Sequence, residues 1–413
     1  MNGKQDSMRR YAECAIVATV LSGVLFFAGC QRAAWRAEDP VLWEKAKAIA
    51  HEILIVDTHI DVPYRLAEKM EDVSQETSSD FDYPRAMEGG LDAFFIVVYV
   101  PPEKEEEGTA KAFAEKTLDL VQDIVSKHPD KFAVAHSPEE VRAQFGDHRV
   151  TFLLAIENGA PLEGDLANVK YFYDRGIRYI TLAHGKCNHI CDSSYDKERK
   201  WHGLSPFGKE LVAEMNRLGM IIDVSHLSDE SFHAVLEHSR SPVIASHSAC
   251  RHFTPGMERN MDDAMIGAMA EKGGIIQISF GAMFVNTEVA RKSRERWDAI
   301  DAYLAEHKLE GEAKDKWVAQ YKKAHPVGKA TVSDVADHID HVVQLAGIDH
   351  VGIGSDFDGV GDQVPVGLED VSCYPNLIYE LLKRGYSEED IRKICSENFL
   401  RVWTEIVARA SCP

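Results

Sequence analysis

Eight apolar, largely β-branched runs recur along the chain, and each is followed by a stretch of helical period: "ILIVDTHID", "DAFFIVVYV", "TFLLAIENG", "RYITLAHG", "MIIDVSHLS", "PVIASHSA", "GIIQISFG" and "HVGIGSDFDG". Runs buried on both faces and alternating with helices are the pattern of repeated βα units and a parallel sheet. Eight is the number that closes such a sheet into a barrel, and the fold expected is α/β, a single (β/α)8 TIM-type barrel. The 413 residues would otherwise allow two or three domains, but barrels exceed that length prior as one unit. One intervening helix is spelled out in full by "SPFGKELVAEMNRLG", with Ser205 as cap, Pro206 in the first turn and Gly219 as stop. One connection is oversized: residues 282–330, before the last strand, are charged, helical in period and rich in Lys and Glu. This helical excursion is expected to form part of the pocket wall or a homodimer contact.

Active sites of such barrels lie at the C-terminal ends of the strands, so the residues that end each run carry the information. Six of the eight runs end in His, Asp or Glu: His59 with Asp61, then Glu157, His184, His226, His247 and Asp356. Imidazole with carboxylate is a normal zinc donor set. Side chains alternate along a strand, so His59 and Asp61 share a face and can hold a first metal. His226 and His247, on the neighbouring fifth and sixth runs, can hold a second, and Glu157 can bridge the two at a separation of ~3.5–4 Å. Asp356 is placed to take a proton from water and pass it to a leaving amine, and His184 to orient the substrate carbonyl or stabilise an oxyanion. Asp358 shares the parity of Asp356, and Asp57 that of His59; Asp57 lies deeper and reads as structural.

The formal charge of −21 argues against a nucleic-acid partner, which needs an isolated basic face. Near the N-terminus, Arg9 and Arg10 precede the apolar run Ala15–Ala28, a length suited to a signal-peptide core. Ala28 and Gly29 before Cys30 resemble a bacterial lipobox, in which the cysteine is lipidated and becomes the mature N-terminus. The expected organisation is therefore a signal peptide over 1–29, a tether over 30–44, a hydrolase domain over 45–405 and a tail over 406–413. The protein would be exported and membrane-anchored through Cys30, with Gln31 favouring the outer membrane of a Gram-negative host. If Cys14 is removed and Cys30 lipidated, six cysteines remain, at 187, 191, 250, 373, 395 and 412; they allow fifteen pairings among which the sequence does not choose. "CNHIC" lacks the second ligand pair that a closed structural zinc site needs.

Taken in order, "DTHIDVPYRL", "AIENG", "YITLAHGKCN" with "CDS", "IIDVSH", "PVIASHSACR", "RN" followed by "MDD", and "GIGSDFDGV" resemble the membrane (renal) dipeptidase family within the amidohydrolase superfamily, over roughly residues 45–405. The resemblance implies a dizinc barrel that hydrolyses dipeptides, often with a D-residue at the C-terminal position. It implies that His59 and Asp61 bind one zinc, Glu157 bridges, and His226 and His247 bind the other. It also implies that His184 contacts substrate, Arg259 binds its terminal carboxylate and Asp356 shuttles protons. A guanidinium fork suits a free carboxylate on general grounds, with Arg251 as the competing candidate; Asn260 would help hold the loop. The segment "HGKCNHICDS" departs from the family in its two cysteines, while Asn188, a further substrate-binding candidate, and Asp192 keep their places. Two other readings compete: another amidohydrolase, such as an N-acyl amino acid deacylase or a lactonase, and a non-catalytic binding lipoprotein. Many of the former bridge their metals with a carboxylated lysine where this chain has Glu157, and the latter has no use for Asp356.

Overall fold

A computed structural model describes residues 35–411. The expected leader, Cys14, Cys30 and Cys412 lie outside the described residues. Among the described residues there are nine parallel strands: β1 Val56–Ile60, β2 Ala93–Tyr99, β3 Phe132–Val134, β4 Val150–Glu157, β5 Ile177–Thr181, β6 Ile221–Asp223, β7 Ile244–Ser248, β8 Ile275–Ile278 and β9 Val351–Ile353. Eight of them follow one another as β1-β2-β4-β5-β6-β7-β8-β9, and these are the eight apolar runs. The first and last meet through a parallel bridge between Ile60 and Phe357, flanked by bonds from Asp61 N to Phe357 O and from Asp356 N to His59 O. β3 is the strand the apolar pattern missed; three residues long, it pairs only with β4, outside the barrel.

Alternation puts Val56, Phe95, Val97, Leu153, Ala155, Tyr179, Ile221, Ile244 and Ile275 in one buried cluster inside the barrel. Phe399, Leu400, Val402, Trp403 and Ile406 of the C-terminal helix Asn398–Arg409 join the same cluster, with Phe95 in ring contact with both Phe399 and Trp403. That helix covers the end of the barrel opposite the strand C-termini. The expected tail from 406 is therefore part of the folded body, because Ile406 is a core residue. The expected tether is also too long. Trp35 packs edge-on against Trp43 and Tyr379, and Asp39 caps a helix over Pro40–Glu52 whose Ala46, Ile49 and Ala50 are buried.

The helix over Pro206–Leu218 forms as spelled: the Ser205 hydroxyl accepts from Gly208 N at 2.9 Å, and Gly219 ends it in the left-handed conformation at φ 72°. The excursion consists of helices Ala282–Val285, Thr287–His307 and Gly311–Ala324, after which Val332–Ala346 returns to the barrel. Tyr303 and Trp317 stack face to face across the two longer helices with ring centroids 3.9 Å apart. The excursion walls the pocket at the strand C-termini, as expected.

Candidate active site

The strand ends converge on Glu157, the last residue of β4. Its Oε1 lies 3.0 Å from His226 Nε2, 3.2 Å from His247 Nε2, 3.8 Å from His59 Nε2 and 3.9 Å from His184 Nε2. His59 Nε2 is also 3.4 Å from Asp61 Oδ2. Donor atoms within ligating reach form the trios His59–Asp61–Glu157 and Glu157–His226–His247, which share the glutamate, and a third, His59–His247–Asp356. The side chains of the three trios are buried, and His184 is partly exposed.

The chain arrives at this geometry by breaking strand regularity. β1 is irregular between Asp57 and Ile60, and β7 between Ala245 and Ser248. Such irregularities re-aim a side chain at the edge of a barrel. His226 (φ 70°) and Asp356 (φ 66°) both sit in the left-handed region, which costs a non-glycine residue strain that structure elsewhere must hold. Parity consequently fails where it was ambiguous. The Asp57 carboxylate accepts from Ser355 N and the Tyr374 hydroxyl, away from Glu157, so Asp57 braces β1 against β9. Asp358 (φ 63°) accepts from Arg65 Nε and Asp80 N, leaving Asp356 as the carboxylate in the cluster. Asp61 begins the helix Val62–Glu68 without using its carboxylate as a cap, so that group stays available to the site.

Bonds behind the rings set their tautomers. The Tyr179 hydroxyl donates to Thr58 O at 3.0 Å and lies 2.8 Å from His59 Nδ1. Having given away its one proton, it must accept from Nδ1–H, which leaves Nε2 bare toward Asp61 and Glu157. Ser246 repeats the device on β7: its hydroxyl donates to Asp223 Oδ2 at 2.6 Å and accepts from His247 Nδ1 at 2.8 Å. Both imidazoles thus present a lone pair, held by the outer bond that metal-ligating histidines ordinarily have.

The electrostatics point the same way. Burial, with Arg259 and neighbouring rings adding to it, holds His226 and His247 well below the ordinary imidazole range, so both are neutral, the form that binds metal. Burial and Arg259 likewise bring His184 down to about 3. Burial works against a charged His59, but Asp61 and Glu157 outweigh it and push this ring up to about 10. A proton at Nε2 and a cation at Nε2 answer the same field. Glu157 is raised well above the usual carboxylate range and Asp356 is pushed up to about 7, burial being the first cause of each and Asp61 contributing to both. So many buried carboxylates cannot all ionise together unless positive charge joins them. His59 Nε2, Asp61 Oδ1 and His226 Nδ1 are buried without hydrogen-bond partners. The donor set therefore fits divalent cations.

The other residues expected from sequence separate clearly. Arg259 is buried beside His226, with Nη2 on His247 O at 2.6 Å and on His226 Nε2 at 3.1 Å, while its Nε and Nη1 are unpartnered. Arg251 makes a double ion pair with Asp229 and bonds Asn260 O, so it holds a loop and drops out as its rival. Asn260 does hold the loop, bonding Thr254 Oγ1 and Phe284 O. The structure corrects Asn188: its amide donates to Asn158 Oδ1 and Leu182 O and accepts from Ile190 N and Cys191 N, so nothing remains for a substrate. Asp192 is similarly spent on the backbone of Lys200, Trp201 and Gly203. All five cysteines among the described residues are free thiols.

Over the cluster lies a cavity of about 880 Å³, lined by Glu157, His184, His226, His247 and Asp356 at its base and by Tyr64, Tyr99, Tyr195, Arg296, Trp297 and Lys322 among its walls. Tyr99 meets His184 edge-on. Sequence reasoning passed over it because β2 ends in no ligand type; in the structure Tyr99 pairs in register with Glu157, which brings it to the site. Gly359 is a further missed residue. A Cβ there would stand 2.3 Å from both Asp356 Oδ1 and Asp61 Oδ2, so only glycine lets the two carboxylates close on the site.

A parallel (β/α)8 barrel with buried imidazoles and carboxylates gathered at its strand C-termini defines a metal-dependent hydrolase. More narrowly, the chain matches the membrane dipeptidase family, peptidase family M19, over residues 43–411; it belongs to that family and is a metallo-dipeptidase. It is 33% identical over 340 residues to dipeptidase tcpJ of Claviceps purpurea, covering 81% of this chain and 71% of that protein. It is 35% identical over 344 residues to dipeptidase aclJ of Aspergillus oryzae, covering 81% and 72%. Among solved structures, the probable dipeptidase PvdM from Pseudomonas aeruginosa aligns with a TM-score of 0.79 at 29% identity, over 90% of this chain and 99% of that one.

Proposed function

We propose that this dipeptidase works with two zinc ions, one on His59 and Asp61 and one on His226 and His247, with Glu157 shared between them, and that it accepts dipeptides with a C-terminal D-residue. The observation that carries the reading is the pair of donor trios meeting at one glutamate, with two of the imidazoles locked in the metal-binding tautomer. Two such ions, when bound, supply a water acidified to near neutral pH and polarisation of the scissile carbonyl.

The chain's own residues supply the rest. Asp356 shares a donor trio with His59 and His247, within reach of a water over the cluster, and is the group to take its proton and return it to the departing amine. His184 is neutral, and its buried Nδ1 has no protein partner, so the ring has hydrogen-bonding capacity to spend on the substrate carbonyl or the oxyanion. Arg259 has two unpaired guanidinium nitrogens for the terminal carboxylate, and its bond to His247 O fixes where they stand. Tolerance of a D-residue rests on family resemblance. Export and anchoring to a membrane through a lipid on Cys30 rest on the basic and apolar pattern of residues 9–30, and pairing of two copies on the oversized excursion.

Metal analysis of the purified protein, followed by a panel of L-L, L-D and D-D dipeptides with N-acyl amino acids and a lactone as side arms, tests the reading. Two zinc-class ions per chain with dipeptide turnover are expected. Well under one ion per chain after mild preparation would refute the dinuclear site. Mass spectrometry of the membrane fraction for a diacylated Cys30 tests the anchor.

A further inference from the structure

The cavity over the cluster holds more than a dipeptide of small residues needs: about 880 Å³ is near the top of the range, roughly 300–1,000 Å³, that encloses drug-sized ligands. Its cations are not alike. Arg65, rising from the helix after β1, is neutralised twice, by Glu71 and by Asp358, each at 3.0 Å. Arg296 and Lys322, presented by the two long helices of the excursion, have no carboxylate within ion-pair distance among the described residues. Other cations of the excursion also lack a carboxylate, but Arg296 and Lys322 are the two of them that line this cavity.

Their other contacts leave the charge unspent. Arg296 Nε is buried without a partner, and Nη1 reaches only His325 O, at 3.5 Å. Lys322 Nζ lies over the Trp297 ring, 4.4 Å from its centroid, a cation–π contact that places the ammonium without cancelling it. Burial first and then the Arg296 charge depress Lys322 below the ordinary lysine range, so the two cations feel each other; Asp362 offsets part of this from beyond ion-pair distance. Holding like charges together costs free energy that a bound anion would recover.

We infer that Arg296 and Lys322 form a subsite for a second anion on the substrate, so that the preferred dipeptides carry an acidic side chain in addition to the terminal carboxylate. Arg259 at the cluster takes the terminal group, and the excursion takes the side-chain carboxylate. The inference rests on the dipeptidase reading above and deepens it.

The test compares kcat/KM of the zinc-loaded full-length protein for alanyl-glutamate and its uncharged isostere alanyl-glutamine, in both configurations of the second residue, and for the reversed sequences. One acidic member is expected to exceed its amide partner by about tenfold or more, the scale of a charge-assisted contact. In Arg296→Met/Lys322→Met the ratio should fall toward one. In Arg296→Glu/Lys322→Glu it should drop below one while alanyl-lysine improves. Raising ionic strength with the unmodified protein, which needs no variant to fold, should lower turnover of the acidic member and spare the amide. Equal kcat/KM for every acid–amide pair, or a ratio that survives the double substitution, would overturn the subsite while leaving the dipeptidase reading intact. Turnover of no member of the panel by metal-loaded protein would instead sink the dipeptidase reading, and the subsite with it.

Discussion

Replacing Tyr179 with Phe isolates the bond that sets the His59 tautomer. The substitution keeps ring and volume and deletes one hydroxyl, which bonds Thr58 O at 3.0 Å and His59 Nδ1 at 2.8 Å. Two buried groups then lose a partner, at about 1–3 kcal/mol each, so the domain should melt measurably lower while still folding. The larger consequence is local. Without an acceptor at Nδ1 the neutral ring is free to carry its proton on Nε2, toward Asp61 and Glu157, where the lone pair is needed. Loss of an outer-shell partner of this kind lowers metal affinity about 10–100-fold, equivalent to roughly 1.4–2.7 kcal/mol. The effect should be one-sided, because His247 keeps its own bond to Ser246. Competition against a graded series of chelators should resolve two tight ions in the parent, and one tight and one weakened ion in Tyr179→Phe, with excess metal restoring turnover. Two affinities that both stay within about twofold of the parent, or that fall together, would refute this account of how His59 is held.

Three further outcomes follow from single contacts. Asp356→Asn keeps the size of the side chain and removes its basicity, so metal content should stay near normal while kcat drops by about 100-fold or more; unchanged kcat would take Asp356 out of proton transfer. Gly359→Ala puts a methyl 2.3 Å from Asp356 Oδ1 and Asp61 Oδ2, and should cost activity and metal affinity with little change in the far-ultraviolet circular dichroism; wild-type affinity and rate would show that the two carboxylates can yield. His338 is buried between Cys250 N and Val285 O and brought down to about 4 by burial first, against an unfolded value near 6.5. Its folded pKa is the lower one, so its contribution is complete above about pH 6.5 and is lost as pH falls toward 4, in total roughly 3 kcal/mol. Urea unfolding of metal-loaded protein at pH 7 and pH 5 should show this loss, and His338→Gln should show less of it; an identical pH slope in the two proteins would assign the effect elsewhere.

Element identity was readable because it depends on local properties. Each of the eight apolar runs became a barrel strand, and "SPFGKELVAEMNRLG" capped and stopped as written, since cap chemistry and hydrophobic period need no knowledge of the rest of the chain. The residue types at the strand ends were readable for the same reason. Their aim was not. Alternation pairs Asp57 with His59 and Asp356 with Asp358, and the structure separates both pairs, because β1 is irregular after Asp57 and the β9 end turns through positive φ at both aspartates. β3 is too short to show a period, and Ile406 reads as tail until the barrel floor it covers exists. Asn188 looked available because nothing in sequence reveals that four loop groups claim its amide.

The same distinction bears on where new information sits in this molecule. A ligand residue is recognisable by type, because few side chains bind a divalent cation, and the cluster around Glu157 was found that way. A specificity residue is defined by what fails to pair with it. Lys322 and Arg296 belong to a segment whose composition says only that it is charged and helical, and some of its cations meet an acid, as Arg291 meets Glu288 and Glu295 one turn earlier on the same helix. What sets the two pocket cations apart is that they line the cavity together with no carboxylate within ion-pair distance, a property of the folded chain alone. Substrate preference in this enzyme is therefore best sought on the excursion, where charge is left over, and catalytic chemistry at the strand ends, where it is compensated.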